Sequence, residues 1–524
     1  MRRPLVLLLL WCAALFLPGL GTRDLWNPNE VIYGRAVVEM QQAGTWLVPL
    51  VNGQDFAEKP ILYYWMGRAA AALFGTGEAA LRLPLVLFGT LGVLLLYGLV
   101  RRHTNERRAL LAGLVLASSY MYLWCARSIQ MDLLVTVTSL GCAGFAFSAL
   151  DGRLPPLRGW LLSGLFAGLG FLAKGPVGIV CPGLAVLLFL VVTRRLRELR
   201  PFHLLAALLV ATAVAAPYYV ALAMTGHEDV LYEMLVRQNF SRFKDAWDHV
   251  KPWHYYLPYV FLDFAPWSLL LPFAVLPRKE KREPREVLAW CWLAGIVVFF
   301  SLSQSKRSPY ILPVAPAIAI LVAAVLERAW DGLKTEARAL RGLATLIGVA
   351  LLGGAVALLV PSIASRVPAD LQTTARIGLI VFAVLGAVAV GTALRGPRPA
   401  LLGLLATLSG LVVFAGVEAL PRADRLKSAK PFCELTAAAL TKAPGSLVSY
   451  GLWEWRSSYI YYLDRNIPNL RTMTDLERLW KGPYRTYVLV EKDRLEEIRP
   501  LLDTGMKVAE RPVGGNVALL YSNR

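Results

Sequence analysis

The chain has 524 residues, of which 56% are hydrophobic and only 17% charged, with a formal net charge of +19 and a mean hydropathy of +0.51. A water-soluble domain carries about a quarter charged residues, so an ordinary cytosolic enzyme is excluded. In a chain this apolar, a basic excess points first to short loops between membrane spans and only then to nucleic acid.

A span needs about 20 mostly apolar residues. Thirteen runs come close to that length: 4–20, 79–100, 109–125, 131–150, 159–173, 176–193, 203–224, 257–277, 287–303, 310–327, 342–362, 376–394 and 399–419. The first is also similar to a secretory signal, with Arg2 and Arg3 ahead of the leucines at 5–10. No A-x-A cleavage site follows it and the apolar run continues to Pro18, so a retained span is expected. The loops at 101–108, 153–158, 194–200, 278–285, 328–341 and 395–398 are short and basic. With thirteen spans they all share a side with Arg2 and Arg3, which the positive-inside rule makes cytoplasmic. Residues 420–524 then lie outside, together with the long segments 21–78 and 225–256. Function is expected there, on outer loops carried by a rigid scaffold. The six cysteines form no CxxC pair, which argues against a disulfide framework or a thiolate metal site.

Within the first outer loop, 29–43 and 60–75 have helical character but are too short to span, and interfacial helices are expected. Between them lies Phe56-Ala57-Glu58-Lys59-Pro60. Pro60 suits a first helical position, and a helix N-terminus beside Lys59 would attract a phosphate. The competing reading is a surface ion pair. The expected organisation is a transmembrane domain over 1–420 and a C-terminal domain over 421–524. In the latter, 447–450, 486–490 and 517–521 read as strands and 431–440 and 492–502 as helices, a small α/β domain. Trp453, Trp455, Tyr459, Tyr461 and Tyr462 could stack on sugars or fill its core. No GxGxxG with an acidic partner, P-loop or HExxH is present.

Several motifs share one pattern. Leu25-Trp26-Asn27-Pro28-Asn29-Glu30, Tyr33, Glu39-Met40, Trp46-Leu47-Val48-Pro49, Asn52-Gly53 and Glu58-Lys59-Pro60 lie in the first loop. Ala126-Arg127 with Asp132, Leu172-Ala173-Lys174-Gly175-Pro176 and Pro217-Tyr218-Tyr219 follow. Then come Arg237-Gln238-Asn239-Phe240 with Arg242-Phe243, His249 with Pro252-Trp253 and Tyr255, Pro266-Trp267-Ser268, and Ser305-Lys306 with Tyr310 and Pro313. Over residues 20–320 the chain resembles the bacterial protein-mannosyltransferase-like and aminoarabinose-transferase-like membrane glycosyltransferases of family 39. The resemblance implies a polytopic α-helical membrane protein of GT-C type in the bacterial inner membrane, with its active site at the extracytoplasmic face. It implies transfer of a sugar from a polyprenyl-phosphate donor to a lipid, glycan or protein acceptor. The departing phosphate needs cations and the acceptor needs a base.

Relatives carry an Asp and then a Glu early in the first loop, where this chain has Asn29 and Glu30. Asn cannot act as a base, so Glu30 and Asp132 are the expected catalytic carboxylates, with Asn29 orienting the acceptor. The family's phosphate-side Arg is Ile32 here, and Arg35 is the nearest substitute. Lys59, Arg35, Lys306 and Tyr310 are the expected phosphate ligands. A metal-binding His of relatives is replaced by Asn239. No cofactor is assigned; a divalent metal stays open, with Glu58 and His249 as weak candidates. Two other readings compete: a transporter or flippase for lipid-linked glycans, and a glycosyltransferase-like protein without turnover. Ionisable residues gather at span ends and in loops, which favours the enzyme over the transporter.

Overall fold

The computed structural model describes residues 2–241, 248–276, 282–452 and 457–524. Arg242 and Phe243 of the loop motif, Arg278 and Lys279 of a basic loop, and the aromatics Trp453 and Trp455 lie outside the described residues. The residues group into two compact units. One comprises Met1–Leu20, Ala57–Tyr63 and Arg82–Glu418, the other Gly21–Phe56, Tyr64–Leu81 and Ala419–Arg524. Most of the first loop therefore groups with the C-terminal residues, while the short segment carrying Glu58 and Lys59 groups with the spans.

Among the described residues, nine helices are long and apolar enough to cross a membrane. The thirteen expected runs are all helical, but four are not single helices of spanning length. Two are bent pairs: Glu106–Ser118 with Tyr120–Ala126 at 68°, and Trp253–Leu262 with Trp267–Val275 at 97°. Two more, Arg3–Phe16 and Val177–Val192, are shorter apolar helices. Hydropathy could not register the bends, because each break is only a few residues long. Backbone groups freed inside a bilayer must find partners, and here the two breaks satisfy each other. The N–H groups of Tyr120 and Met121 donate to the carbonyls of Ala265 and Asp263, at 3.0 and 2.8 Å. The Trp267 indole N–H donates to Ser118 Oγ at 2.9 Å.

Small residues allow the spans to pack closely. The Asp132–Leu150 helix packs on Pro156–Lys174, where Gly141 lies under the Phe166 ring. The next turn of chain returns through Gly175-Pro176. At Gly178 an added Cβ would fall 2.1 Å from the Gly170 carbonyl oxygen, so the two helices touch backbone to backbone.

In the second unit, the Asn29–Ala43 helix is buried at every residue from Glu30 to Met40. It is enclosed rather than half exposed, unlike the interfacial helix expected for this segment. Its polar groups are matched internally. The Glu39 carboxylate accepts from Arg35 Nε at 2.6 Å and from the N–H groups of Asn52 and Gly53 at 2.7 and 2.8 Å. Those two residues, at φ 56° and 75°, turn the small hairpin of β1 (Leu50–Val51) and β2 (Gln54–Asp55). An Asn-Gly pair suits that left-handed turn.

The C-terminal sheet contains β3 (Ser446–Tyr450), β4 (Asn469–Leu470), β5 (Thr486–Glu491), β6 (Met506–Val513) and β7 (Asn516–Ser522), in the order β4-β3-β5-β7-β6. β3 pairs in parallel with β4 and β5, whereas β7 is antiparallel to β5 and β6. Central strand β5 is buried throughout, as a strand covered on both faces should be. Tyr487 and Leu489 join a core with Phe432, Cys433 and Tyr459, and Val488 and Val490 join one with Leu476, Trp480 and Ile498. Tyr459 is therefore a core residue.

Candidate active site

The first unit holds a cavity of about 350 Å³ whose lining includes Glu58, Lys59, Lys174, Asn239, Phe300 and Tyr310. Each polar group reaches it from the end of a helix or from a short connection. Lys59 comes from the Glu58-Lys59-Pro60 corner, where its Nζ donates to the Glu58 carbonyl at 3.1 Å. Lys174 ends the Pro156–Lys174 helix. Gly175 follows at φ +65° and packs against the Asn239 amide, which would lie 3.3 Å from an added Cβ. The positive φ favours glycine at this position. Asn239 is fixed in turn by donating to the Met234 carbonyl at 2.8 Å, within a π-helical stretch, Glu233–Ser241.

The Lys174 ammonium donates to Asp132 Oδ1 at 2.5 Å, and both side chains are largely buried. Asp132 opens the Asp132–Leu150 helix, where the helix dipole favours a negative charge. The Tyr310 ring covers the same ammonium, 4.3 Å from Nζ to the ring centroid, a cation–π contact. Tyr310 sits in the Ser308–Val314 turn, whose first residue donates from its hydroxyl to Asp263 Oδ2 at 2.7 Å. The site thus has a cationic core of Lys59 and Lys174, an aromatic lid and an apolar wall that includes Phe299 and Phe300.

Lys306 performs a different task. Its backbone N–H donates to the His249 carbonyl at 3.0 Å, and Val250 bridges to Ser305. Its Nζ donates to the carbonyls of Lys251, at 3.0 Å, and Ser303. Burial lowers the pKa of this ammonium below the usual lysine range. His249 is half exposed, and its ring nitrogen lies 3.8 Å from Asp248. Among the described residues no three His, Cys, Asp or Glu side chains cluster as metal ligands. Among the described residues, Glu58 and His249 thus have no third ligand of that kind beside them, where a catalytic metal centre uses about three.

The remaining expected residues belong to the second unit. Asn29 and Glu30 form the first turn of the Asn29–Ala43 helix. Glu30 accepts from Arg23 at 2.6 Å and from the Trp26 N–H at 3.3 Å. Arg35 is held by Glu39 and by Asp464 at 2.8 Å. Lys174 received no role from its sequence motif. The available signal was a single cation between two long apolar runs, immediately before Gly-Pro.

Residues 58–220 match the family described as dolichyl-phosphate-mannose-protein mannosyltransferase. The undecaprenyl phosphate-alpha-4-amino-4-deoxy-L-arabinose arabinosyl transferase of Pseudomonas aeruginosa is 34% identical over 362 residues, covering 67% of this chain and 64% of that protein. Its counterpart in Erwinia tasmaniensis is 32% identical over 60% of this chain and 58% of the relative. In these matches the chain spans less than two thirds of the relatives' own length. ArnT from Cupriavidus metallidurans, in a crystal structure with undecaprenyl phosphate bound, has the same fold: TM-score 0.81 at 22% identity, over 99% of this chain and 98% of that one. The chain is thus similar in sequence to the aminoarabinose transferases and shares the fold of ArnT. Among the described residues, apolar helices run through most of the chain's length. The archaeal oligosaccharyltransferase AglB of Archaeoglobus fulgidus shares the fold more distantly, at TM-score 0.52 and 14% identity. Of the cavity residues, Glu58, Lys59 and Lys174 fall inside the matched segment, as does Asp132, while Asn239 and Tyr310 lie beyond it.

Proposed function

We propose that this protein transfers a sugar from a polyprenyl-phosphate donor to an acceptor at the extracytoplasmic face of the bacterial inner membrane. The observation that carries the reading is the convergence of Lys59 and Lys174 on a cavity that has an apolar side, with Val177, Val180, Phe299 and Phe300, and a polar side, with Glu58, Gln238, Asn239, Ser303 and Ser305. An amphiphile with a phosphate head and an isoprenoid tail matches both halves of that lining. The lysines hold the departing phosphate, whose negative charge grows as the glycosidic bond breaks. Tyr310 holds the Lys174 ammonium in place and closes the site over it. Arg35 and Lys306, each engaged by nearby groups, brace their own loops instead. Asp132 orients Lys174, and the catalytic roles proposed for Glu30 and Asn29 rest on the sequence resemblance alone. The relatives' names supply the first donor to try, an undecaprenyl-phosphate amino-pentose. The basic loops support a cytoplasmic N-terminus and an outer C-terminus, and hence an outer site.

The test uses the purified full chain in liposomes with radiolabelled donor. Release of polyprenyl phosphate, lowered about tenfold to hundredfold by Lys59→Ala, is expected, since a charge-assisted contact contributes about 1.5–3 kcal/mol. Donor binding without release would favour the non-turnover reading. Movement of intact donor across the bilayer would favour the flippase.

A further inference from the structure

A second cavity, of about 230 Å³, lies among four helices of the first unit, away from the residues of the proposed sugar site. Its lining includes Trp160, Ala167, Gly183, Leu190, Leu199 and Ala211. The polar atoms on its wall answer each other: Cys142 Sγ and Ser163 Oγ lie 3.3 Å apart. The lining residues on the Val177–Val192 helix run from Ile179 to Leu190, about 16 Å at the rise of an α-helix. The cavity is therefore an elongated apolar slot along a span. Ile179, Leu187 and Leu208 at its edge are exposed, and a Cβ added at Gly183 would meet nothing within 4 Å, so the slot opens sideways.

One end of the slot is strongly basic. Leu199, in its wall, is followed by Arg200 and stands two residues after Arg197 in the short turn that leads into the Pro201–Met224 helix. Arg158, Arg194, Arg197 and Arg200 are all exposed. Between residues 150 and 204 the acidic residues are Asp151 and Glu198. Asp151 engages His103 and Glu198 engages Arg195. Arg195 also donates to the Leu150 carbonyl and so is not part of the open basic rim.

We propose that this slot is a binding site for an anionic phospholipid, with one acyl chain in the crevice and the phosphate at Arg197 and Arg200. Charge complementarity selects the occupant. A neutral lipid would fill the slot but leave the arginines unanswered, whereas an anionic headgroup is attracted by each basic residue at the membrane surface. The loop is one of those the positive-inside rule places at the cytoplasmic leaflet, opposite the proposed sugar site.

The experiment is native mass spectrometry of the delipidated full chain with phosphatidylglycerol, phosphatidylcholine or undecaprenyl phosphate. Preferential retention of phosphatidylglycerol is expected. The paired substitution Arg197→Gln with Arg200→Gln should lower its affinity about thirtyfold and leave phosphatidylcholine binding unchanged. Gly183→Leu, which grows into open space, should reduce retention of either phospholipid about tenfold, whereas Gly391→Leu, also facing open space, should not. Unchanged thermal unfolding of Gly183→Leu separates loss of the site from loss of the fold. Equal retention of the two phospholipids by the native chain, retention unaffected by Gly183→Leu, or displacement of phosphatidylglycerol by undecaprenyl phosphate would each overturn the proposal.

Discussion

Replacing Lys174 with Met tests the site more sharply than removing Lys59, because Lys174 has a partner that is left behind. In the native chain its ammonium donates to Asp132 at 2.5 Å and lies under the Tyr310 ring, with the side chains of the pair 15% and 13% exposed. If the ammonium also holds the donor phosphate, its loss removes a charged contact worth about 1.5–3 kcal/mol, or roughly tenfold to 150-fold in kcat/KM. A second penalty follows. The Asp132 carboxylate is left mostly buried without its cation, near a negatively charged ligand. Removing one member of a fully buried pair costs about 3–5 kcal/mol, and the residual exposure here places the effect at or below the lower end. Lys174→Met should therefore lose more donor use than Lys59→Ala. The double variant Asp132→Asn with Lys174→Met should recover part of that loss, because the orphaned charge is gone. Steady-state release of polyprenyl phosphate at several donor concentrations measures all three, with circular dichroism confirming the fold. Strictly additive losses in the double variant would refute both the coupling and the assignment of Asp132 as the residue that orients Lys174.

Three further outcomes are expected. A reporter active only outside the cytoplasm should work when fused after Arg524 and fail when fused at Arg282, and the reverse pattern would sink the topology and the placement of the site together. Asn29→Asp restores the carboxylate carried by relatives: a large gain in turnover would show that the native site lacks its base, and an unchanged rate would support Asn29 as an acceptor-positioning group. Glu39→Ala removes the acceptor of Arg35 and of two turn N–H groups. Limited proteolysis within residues 44–56 should then accelerate about tenfold or more, as expected when charge-assisted hydrogen bonds of about 1.5–3 kcal/mol are lost.

Hydropathy located every apolar helix because each run is long and its charges lie at its ends, but it could not distinguish a straight span from a bent one. The break at Ser119 is a single residue in extended conformation, and its consequence, a pair of hydrogen bonds to residues 263 and 265, is non-local. In the C-terminal sheet, β3, β5 and β7 were legible as apolar runs. β6 was not, because it is mostly exposed and carries Lys507, Glu510, Arg511 and Pro512, the composition of a protected edge. Within the site, Lys59 and Tyr310 were legible from their motifs. Lys174 was visible only as an isolated charge, since the meaning of that charge depends on Asp132 arriving 42 positions earlier in the chain. Arg35 was read as a phosphate ligand because it is the nearest substitute for the family's Arg, and Lys306 because of its motif. Their engagement by Glu39 and Asp464, and by the Lys251 and Ser303 carbonyls, exists only in the folded chain.

The pairing of Asp132 with Lys174 also bears on how the protein is made. The two residues sit at neighbouring ends of helices Asp132–Leu150 and Pro156–Lys174, which are joined by a short turn and pack on one another; in the proposed topology these ends face outward. During biogenesis both ends must cross the bilayer, and an isolated Asp or Lys at its centre is opposed by about 2.5–3.5 kcal/mol each on insertion scales. A hairpin translocated as one body carries them across side by side, as a near-neutral dipole. The contact that orients a cation in the finished site would then first serve as the insertion device of this helical pair, and a chain with either charge removed would be expected to reach the membrane less efficiently even before its activity is assayed.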